Sequence, residues 1–254
     1  MPTLASPAAS RLPSLRILGS RIDRLTFAQA REIIRGLVVS DQPHHVVTAN
    51  TLMIVEAQHD AELRTILETA SVVIPESWGV RWASKQMGSP LSEFVPGIDL
   101  LLALCQEATR EGQRVYLLGS RPGVAEAAAG ALQAQFPGLT IAGARDGYFT
   151  PLEEDDVIRS VWDSHPHYLF VGLSVPAQEK WIARHLNSLD VPIVMGVGGS
   201  FDVLAGRLQR APRWMRRLGL EWVYRTLQEP WRIQRIKNLP VFMRRVWVES
   251  RGAS

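Results

Sequence analysis

From residue 45 onward, short β-branched apolar runs alternate with helix-length segments, the pattern of a mostly parallel sheet flanked by helices. The runs at 45–49, 71–74, 114–118, 139–142, 168–173 and 192–197 predict strands. Between them, 52–69, 80–87, 98–111, 124–135, 152–163 and 176–186 predict helices. Ahead of this alternation, 16–24 reads as a hairpin and 27–39 as a helix opened by Thr26. The fold class expected is therefore α/β, a Rossmann-like and mostly parallel sheet flanked by helices, followed by a basic helical C-terminal appendage. Three regions result: a loose tail over 1–14, an α/β domain over 15–206 and a Trp-rich appendage over 207–254.

In such a sheet the binding crevice lies beyond the carboxyl ends of the strands, so the residues just after each strand are the ones that carry chemistry. Here they are polar or glycine-rich: Thr48-Ala49-Asn50, Pro75-Glu76-Ser77, Gly119-Ser120-Arg121-Pro122-Gly123, Gly172-Leu173-Ser174 and Gly196-Val197-Gly198-Gly199-Ser200. The fold would gather all five at one rim. Gly119 and Gly123 lead from a strand into a helix, where free backbone N–H groups suit a diphosphate, although glycine serves a tight turn equally well. The loop from Gly198 and Gly199 to Asp202 makes the same offer. Neither loop spells G-x-G-x-x-G, which argues against a dinucleotide-dependent oxidoreductase.

Glu76 is the best candidate for a general base, since it follows a strand where a carboxylate would face the crevice. The alternative is an acid compensating the dipole of the next helix. Thr48 and Asn50 are divided between orienting a substrate and capping the helix that begins near Leu52. No H-x-x-x-H or H-E-x-x-H spacing and no Asp-x-Asp pair occurs, so neither a metal site nor a cofactor is expected.

Charge changes the picture at the C-terminus. Residues 207–247 hold ten Arg and one Lys against Glu221 and Glu229, a net +9 that leaves −6 on the remainder of a chain totalling +3. Pro212 and Pro230 read as first-turn prolines opening helices over 213–227 and 231–239. In the second, Arg232 and Arg235 share a face. Trp214, Leu218, Trp222, Trp231, Ile233, Ile236, Phe242 and Trp247 are interleaved with the charges, the composition of a segment lying in an anionic membrane interface. Single-stranded nucleic acid and a Trp-rich core helix with a solvated basic face are the competing readings; we expect the membrane and no nucleic acid. The single Cys105 sits in an apolar run and reads as a buried thiol, so no disulfide forms within the chain. The first fourteen residues lack the apolar core of a secretory signal. With no apolar run near the roughly 20 residues that span a bilayer, the chain is expected in the cytoplasm, peripheral to the inner face of the membrane.

Several strings coincide in order and spacing with one family. They include Val47-Thr48-Ala49-Asn50, Pro75-Glu76-Ser77-Trp78-Gly79-Val80, Val95-Pro96-Gly97-Ile98-Asp99, Leu117-Leu118-Gly119, Gly147-Tyr148-Phe149 and Val171-Gly172-Leu173 with Pro176, Gln178 and Glu179. Gly196 to Asp202, Arg210-Ala211-Pro212 and Gly219-Leu220-Glu221-Trp222-Val223-Tyr224-Arg225 followed by Glu229-Pro230-Trp231-Arg232 and Arg235 complete them. Across 15–247 the chain resembles the WecG/TagA/CpsF glycosyltransferases. That resemblance implies a metal-independent, inverting transfer of an N-acetylmannosamine-type sugar from a UDP-sugar to an undecaprenyl-diphosphate-linked saccharide, in teichoic acid, common-antigen or exopolysaccharide assembly. It implies Glu76 as base, Thr48 and Gln178 beside it, and Arg225, Arg232 and Arg235 closing over the diphosphate. It also implies a tail that exchanges self-association as a homo-oligomer for membrane binding. Three positions depart from the family pattern. Glu76 replaces the usual Asp, Phe94 stands where many members have Arg, and Ala177 replaces a common Lys. A non-catalytic nucleotide-sugar-binding or membrane scaffold protein of the same fold is the alternative these departures leave open.

Overall fold

The computed structural model describes residues 12–230 and 238–252. An antiparallel hairpin opens it, β1 (Ser14–Ile17) with β2 (Ser20–Asp23). Helix α1 (Phe27–Leu37) follows, with Thr26 accepting from the Gln29 backbone and Gln29 returning the bond to the Thr26 N–H. This reciprocal cap is the reason the helix starts where a Thr precedes an apolar stripe.

Six parallel strands then form one sheet: β3 (His44–Ala49), β4 (Val72–Pro75), β5 (Arg114–Gly119), β6 (Thr140–Arg145), β7 (Tyr168–Gly172) and β8 (Ile193–Gly196). Their order is β4-β3-β8-β7-β5-β6. The chain runs outward from β3 to β4, begins again at β5, and fills the gap with β7 and β8. Strands covered on both faces need apolar residues throughout, which is why they read as continuous hydrophobic runs. Val46, Val115, Leu117, Phe170 and Met195 face one side, where α1, α5 (Gly97–Glu111) and α6 (Val124–Gln135) pack. Val47 and Val73 face the other side with α2 (Thr51–Glu56), α3 (Ala61–Thr69) and α4 (Trp78–Gln86). Further along that same side, Leu118, Leu169, Val171 and Val194 meet α7 (Glu154–Asp163) and α8 (Ala177–Leu189).

The hairpin is fastened to the sheet by a buried charge. Arg21 forms a two-pronged pair with Asp23 at 2.9 and 2.8 Å, and Asp23 accepts the Val73 N–H at 2.8 Å. Both side chains find every partner locally, the condition under which buried charge is tolerated.

The expected helix over 52–69 is two helices. Asp60 caps α3 by accepting from the Leu63 N–H, and the chain turns at 57–60 to let it do so. The expected helix over 213–227 is likewise split, into α10 (Arg213–Arg217) and α11 (Glu221–Gln228), after the short α9 (Ser200–Leu204). Gly219, at φ +73°, makes the break, and a side chain there would collide with the Trp78 ring. Pro212 precedes the first turn of α10 as its N-cap. The segment read as a helix over 231–239 lies, up to residue 237, outside the described residues.

The last helix among the described residues, α12 (Asn238–Gly252), falls within the helical appendage expected over 207–254, although its own span was not read from the sequence. It packs against α2 and α4, with Phe242 and Val246 fully buried and the Phe242 ring 6.5 Å from that of Trp82. Phe242, grouped from the sequence with interfacial residues, is a core residue. No helix among the described residues is long and apolar enough to cross a membrane. Cys105 is fully buried, and burial pushes its thiol up to about 12.

Candidate active site

A cavity of about 1320 Å³ opens beyond the carboxyl ends of the strands. All five strand-following segments reach it, through Thr48 and Asn50, Glu76 and Ser77, Ser120 and Arg121, Gly172 to Ser174, and Val197 to Ser200. Gly119, expected from the sequence to bind substrate, is not among the residues that line it. At φ +137°, a Cβ on Gly119 would stand 2.5 Å from the Gly172 backbone, so glycine is required where the ends of β5 and β7 pair. Across the opening come Arg210, Arg216, Leu218, Trp222, Arg225 and Glu229 from the basic segment, and Phe242 and Met243 from α12.

Glu76 stands at the centre of this arrangement. Ser77, not Glu76, caps α4, by accepting from the Val80 N–H. The Glu76 carboxylate instead turns into the cavity wall, where Asn50 Nδ2 donates to Oε2 at 3.2 Å. Gly97 donates its backbone N–H to the same group. A side chain at Gly97 would stand 2.8 Å from Oε1, so the Val95-Pro96-Gly97 turn makes room for the longer acid. Burial pushes the Glu76 pKa up to about 7, opposed by the Asn50 bond and by the charge of Arg225. A carboxyl titrating near neutrality is suited to taking a proton from a hydroxyl.

Asn50 performs the capping task that the sequence offered it and also bonds Glu76. Its Oδ1 accepts the Met53 N–H at 3.1 Å as the α2 cap, and its amide nitrogen holds Glu76. Thr48 lines the cavity, but its hydroxyl proton is donated to the Gly196 carbonyl at 2.9 Å. Its hydroxyl thereby ties the end of β3 to the end of β8. Gln178, 1% exposed, accepts from the Gly198 N–H at 3.1 Å, and Asp202 accepts from the Ser120 hydroxyl at 3.1 Å, joining two loops of the rim.

The basic segment contributes in two ways. Arg210 grips Asp99 through two bonds of 2.5 and 2.6 Å and lies 3.7 Å from Glu221, which anchors the segment over α5. Arg225 reaches the Gly199 carbonyl at 3.2 Å and projects its field onto Glu76. The Nε–H groups of Arg216 and Arg225 are buried without an acceptor among the described residues. Leaving such donors unmet costs about 1–3 kcal/mol each, which an anion in the cavity would recover. Arg232 and Arg235 lie outside the described residues. Among those described, no group of three or more His, Cys, Asp or Glu is placed to hold a metal ion.

Sequence reasoning missed Arg210, Arg216 and Gly97 as residues of the site. Arg210 and Gly97 stand within strings that the family resemblance rests on, but only folding shows that one clamps Asp99 and the other admits a carboxylate. Phe94 and Ala177, two of the three departures, both line the cavity with apolar surface.

The model of the glycosyl transferase WecG/TagA/CpsF family matches residues 15–254. Two proteins of Staphylococcus aureus, from strains MW2 and NCTC 8325, are each 35% identical over 239 residues, covering 93% of both chains. Each is named N-acetylglucosaminyldiphosphoundecaprenol N-acetyl-beta-D-mannosaminyltransferase.

Proposed function

The chain belongs to the glycosyl transferase WecG/TagA/CpsF family and is a glycosyltransferase, and on that premise we propose that it moves an N-acetylmannosamine-type sugar from a UDP-sugar to an undecaprenyl-diphosphate-linked saccharide. The observation that carries this reading is Glu76, a carboxyl raised to about 7 inside a large cavity and faced by Arg225. In the proposed reaction the acceptor hydroxyl attacks the anomeric carbon while Glu76 takes its proton. The bond to the nucleotide breaks on the opposite face, which inverts the anomeric centre. UDP leaves with two phosphates whose charge Arg216 and Arg225 would meet, a role that their unmatched donors support.

The same reading accounts for the cavity mouth. Leu218, Trp222 and Met243 line it yet are 61%, 43% and 39% exposed. Apolar side chains held in water beside arginines suit a surface on which a lipid-linked acceptor arrives from an anionic membrane. The protein would then work peripherally on the membrane's cytoplasmic side. Incubation with a lipid-diphosphate saccharide and a panel of UDP-sugars, with products read by mass spectrometry, tests the proposal. A product heavier by one N-acetylhexosamine is expected. Absence of transfer and of binding with every UDP-sugar would leave a scaffold of the same fold instead.

A further inference from the structure

Behind the β8 loop lies a buried carboxylate that the reaction described above does not use. Glu179, fully buried, accepts from His45 Nε2 through Oε2 at 2.7 Å and from Gln178 Nε2 through Oε1 at 2.7 Å. His45 is 3% exposed and Gln178 1%. The remaining end of the Gln178 amide, Oε1, accepts the Gly198 N–H at 3.1 Å. Four groups thus form one chain from β3, through the first turn of α8, to the glycine loop of the cavity.

The polarity of this chain has a single solution. A carboxylate only accepts and a backbone N–H only donates, so the Gln178 amide must present its nitrogen to Glu179 and its oxygen to Gly198. Rotating the amide by half a turn would set oxygen against carboxylate and N–H against N–H. Gly198 itself sits at φ +51°, a left-handed conformation that this bond holds in place. Gly196 lacks a side chain where one would stand 2.5 Å from both Gln178 Nε2 and Glu179 Oε1, so the strand end is cut to fit the pair. Packing alone does not call for an acid here, since an apolar side chain fills a buried site at lower cost than a charge.

We infer that Glu179, held by His45, is a positioning residue that fixes the orientation of the Gln178 amide and, through it, the Gly198 loop on the donor side of the cavity. The donor half of this statement rests on the proposed function; the loop half does not.

Two measurements separate them. Hydrogen exchange of the peptide carrying residues 196–200, followed by mass spectrometry on the ligand-free enzyme, reads the loop directly. Glu179→Leu should accelerate exchange there and leave the sheet core unchanged. Calorimetry with UDP and steady-state kinetics should show affinity for UDP down, and KM for the UDP-sugar up, by about tenfold with the acceptor KM unmoved. Glu179→Gln should recover most of both, because a glutamine can offer oxygen to Gln178 and nitrogen to His45 once the imidazole carries its proton on Nδ1 and accepts at Nε2. In a Gln178→Ala background Glu179→Leu should add little further loss. Wild-type exchange in the loop of Glu179→Leu, or losses that add in full to those of Gln178→Ala, would overturn the inference. If Glu179→Leu does not fold, His45→Phe must accelerate the same peptide, and unchanged exchange there overturns it equally. Should the wild-type enzyme bind no UDP at all, the proposed function fails while the exchange result still decides the positioning role.

Discussion

At the scale of the residue, the proposed base is Glu76, and its titration follows from where its carboxylate ends. Its pKa is raised from 4.5 to about 7, so the folded chain holds the proton more tightly than the unfolded chain does. Stability from this group is therefore complete below pH 4.5 and declines as pH rises toward 7, the reverse of a salt-bridged acid. The ceiling of that cost is on the order of 3 kcal/mol at pH 8. Glu76→Gln should accordingly raise the melting temperature at pH 8 and leave it nearly unchanged at pH 4.5, while turnover falls by about 10²–10⁴-fold. In the wild type kcat/KM should climb through about pH 7 as the base ionises; a flat profile from pH 6 to 8 would argue against Glu76 as the proton acceptor. The position of this acid directly after a strand of the parallel sheet was legible in the sequence; whether it turned into the crevice or compensated the dipole of the next helix was not. Nor were its partners. That Asn50 both caps α2 and holds Glu76 depends on β3 and β4 lying side by side in register, with Thr48 opposite Ile74.

At the scale of the element, patterning served best where a strand is covered on both sides or a helix carries a cap. Helix α6 occupies the predicted span, 124–135, and α5 begins one residue earlier than expected. The misreadings fall where polar and apolar residues mix without period. In the basic segment Trp214 and Trp222 are 61% and 43% exposed, whereas Phe242, similar in size and equally surrounded by charge in the sequence, is wholly buried between α12 and α4. Trp247, at 48% exposed, stays with the exposed tryptophans, the Arg251 guanidinium lying 3.6 Å from the centre of its ring. Composition cannot separate such residues; only the face of the helix that meets a neighbour does. Phe242→Ala should cost about 3–5 kcal/mol in urea unfolding. Trp222→Ala should change stability by less than about 0.5 kcal/mol. A reversed order would mean that α12 does not pack on the core in solution.

At the scale of the molecule, the sheet order places the ends of β3, β8, β7 and β5 around one opening, and the chain's later, positively charged part is laid over it. The proposed membrane contact belongs to this scale, since it needs the exposed apolar residues and the charge together. Sedimentation with anionic vesicles should fall steeply between 0.1 and 1 M salt, as the screening length shrinks from about 10 to about 3 Å. It should also fall in Trp214→Ala/Trp222→Ala at constant salt, and binding equal to neutral vesicles under all conditions would exclude an electrostatic contact. By itself the sequence determined the α/β alternation, the rim from which the site is built, the family and the asymmetry of charge, because each is written in residues adjacent along the chain. Tertiary structure alone decided that Glu76 meets Asn50 and Gly97, that Arg210 clamps Asp99 across 111 positions, and that α12 belongs to the core. Those facts concern distances between residues far apart in the chain, and a one-dimensional pattern carries no distance until the strands have paired.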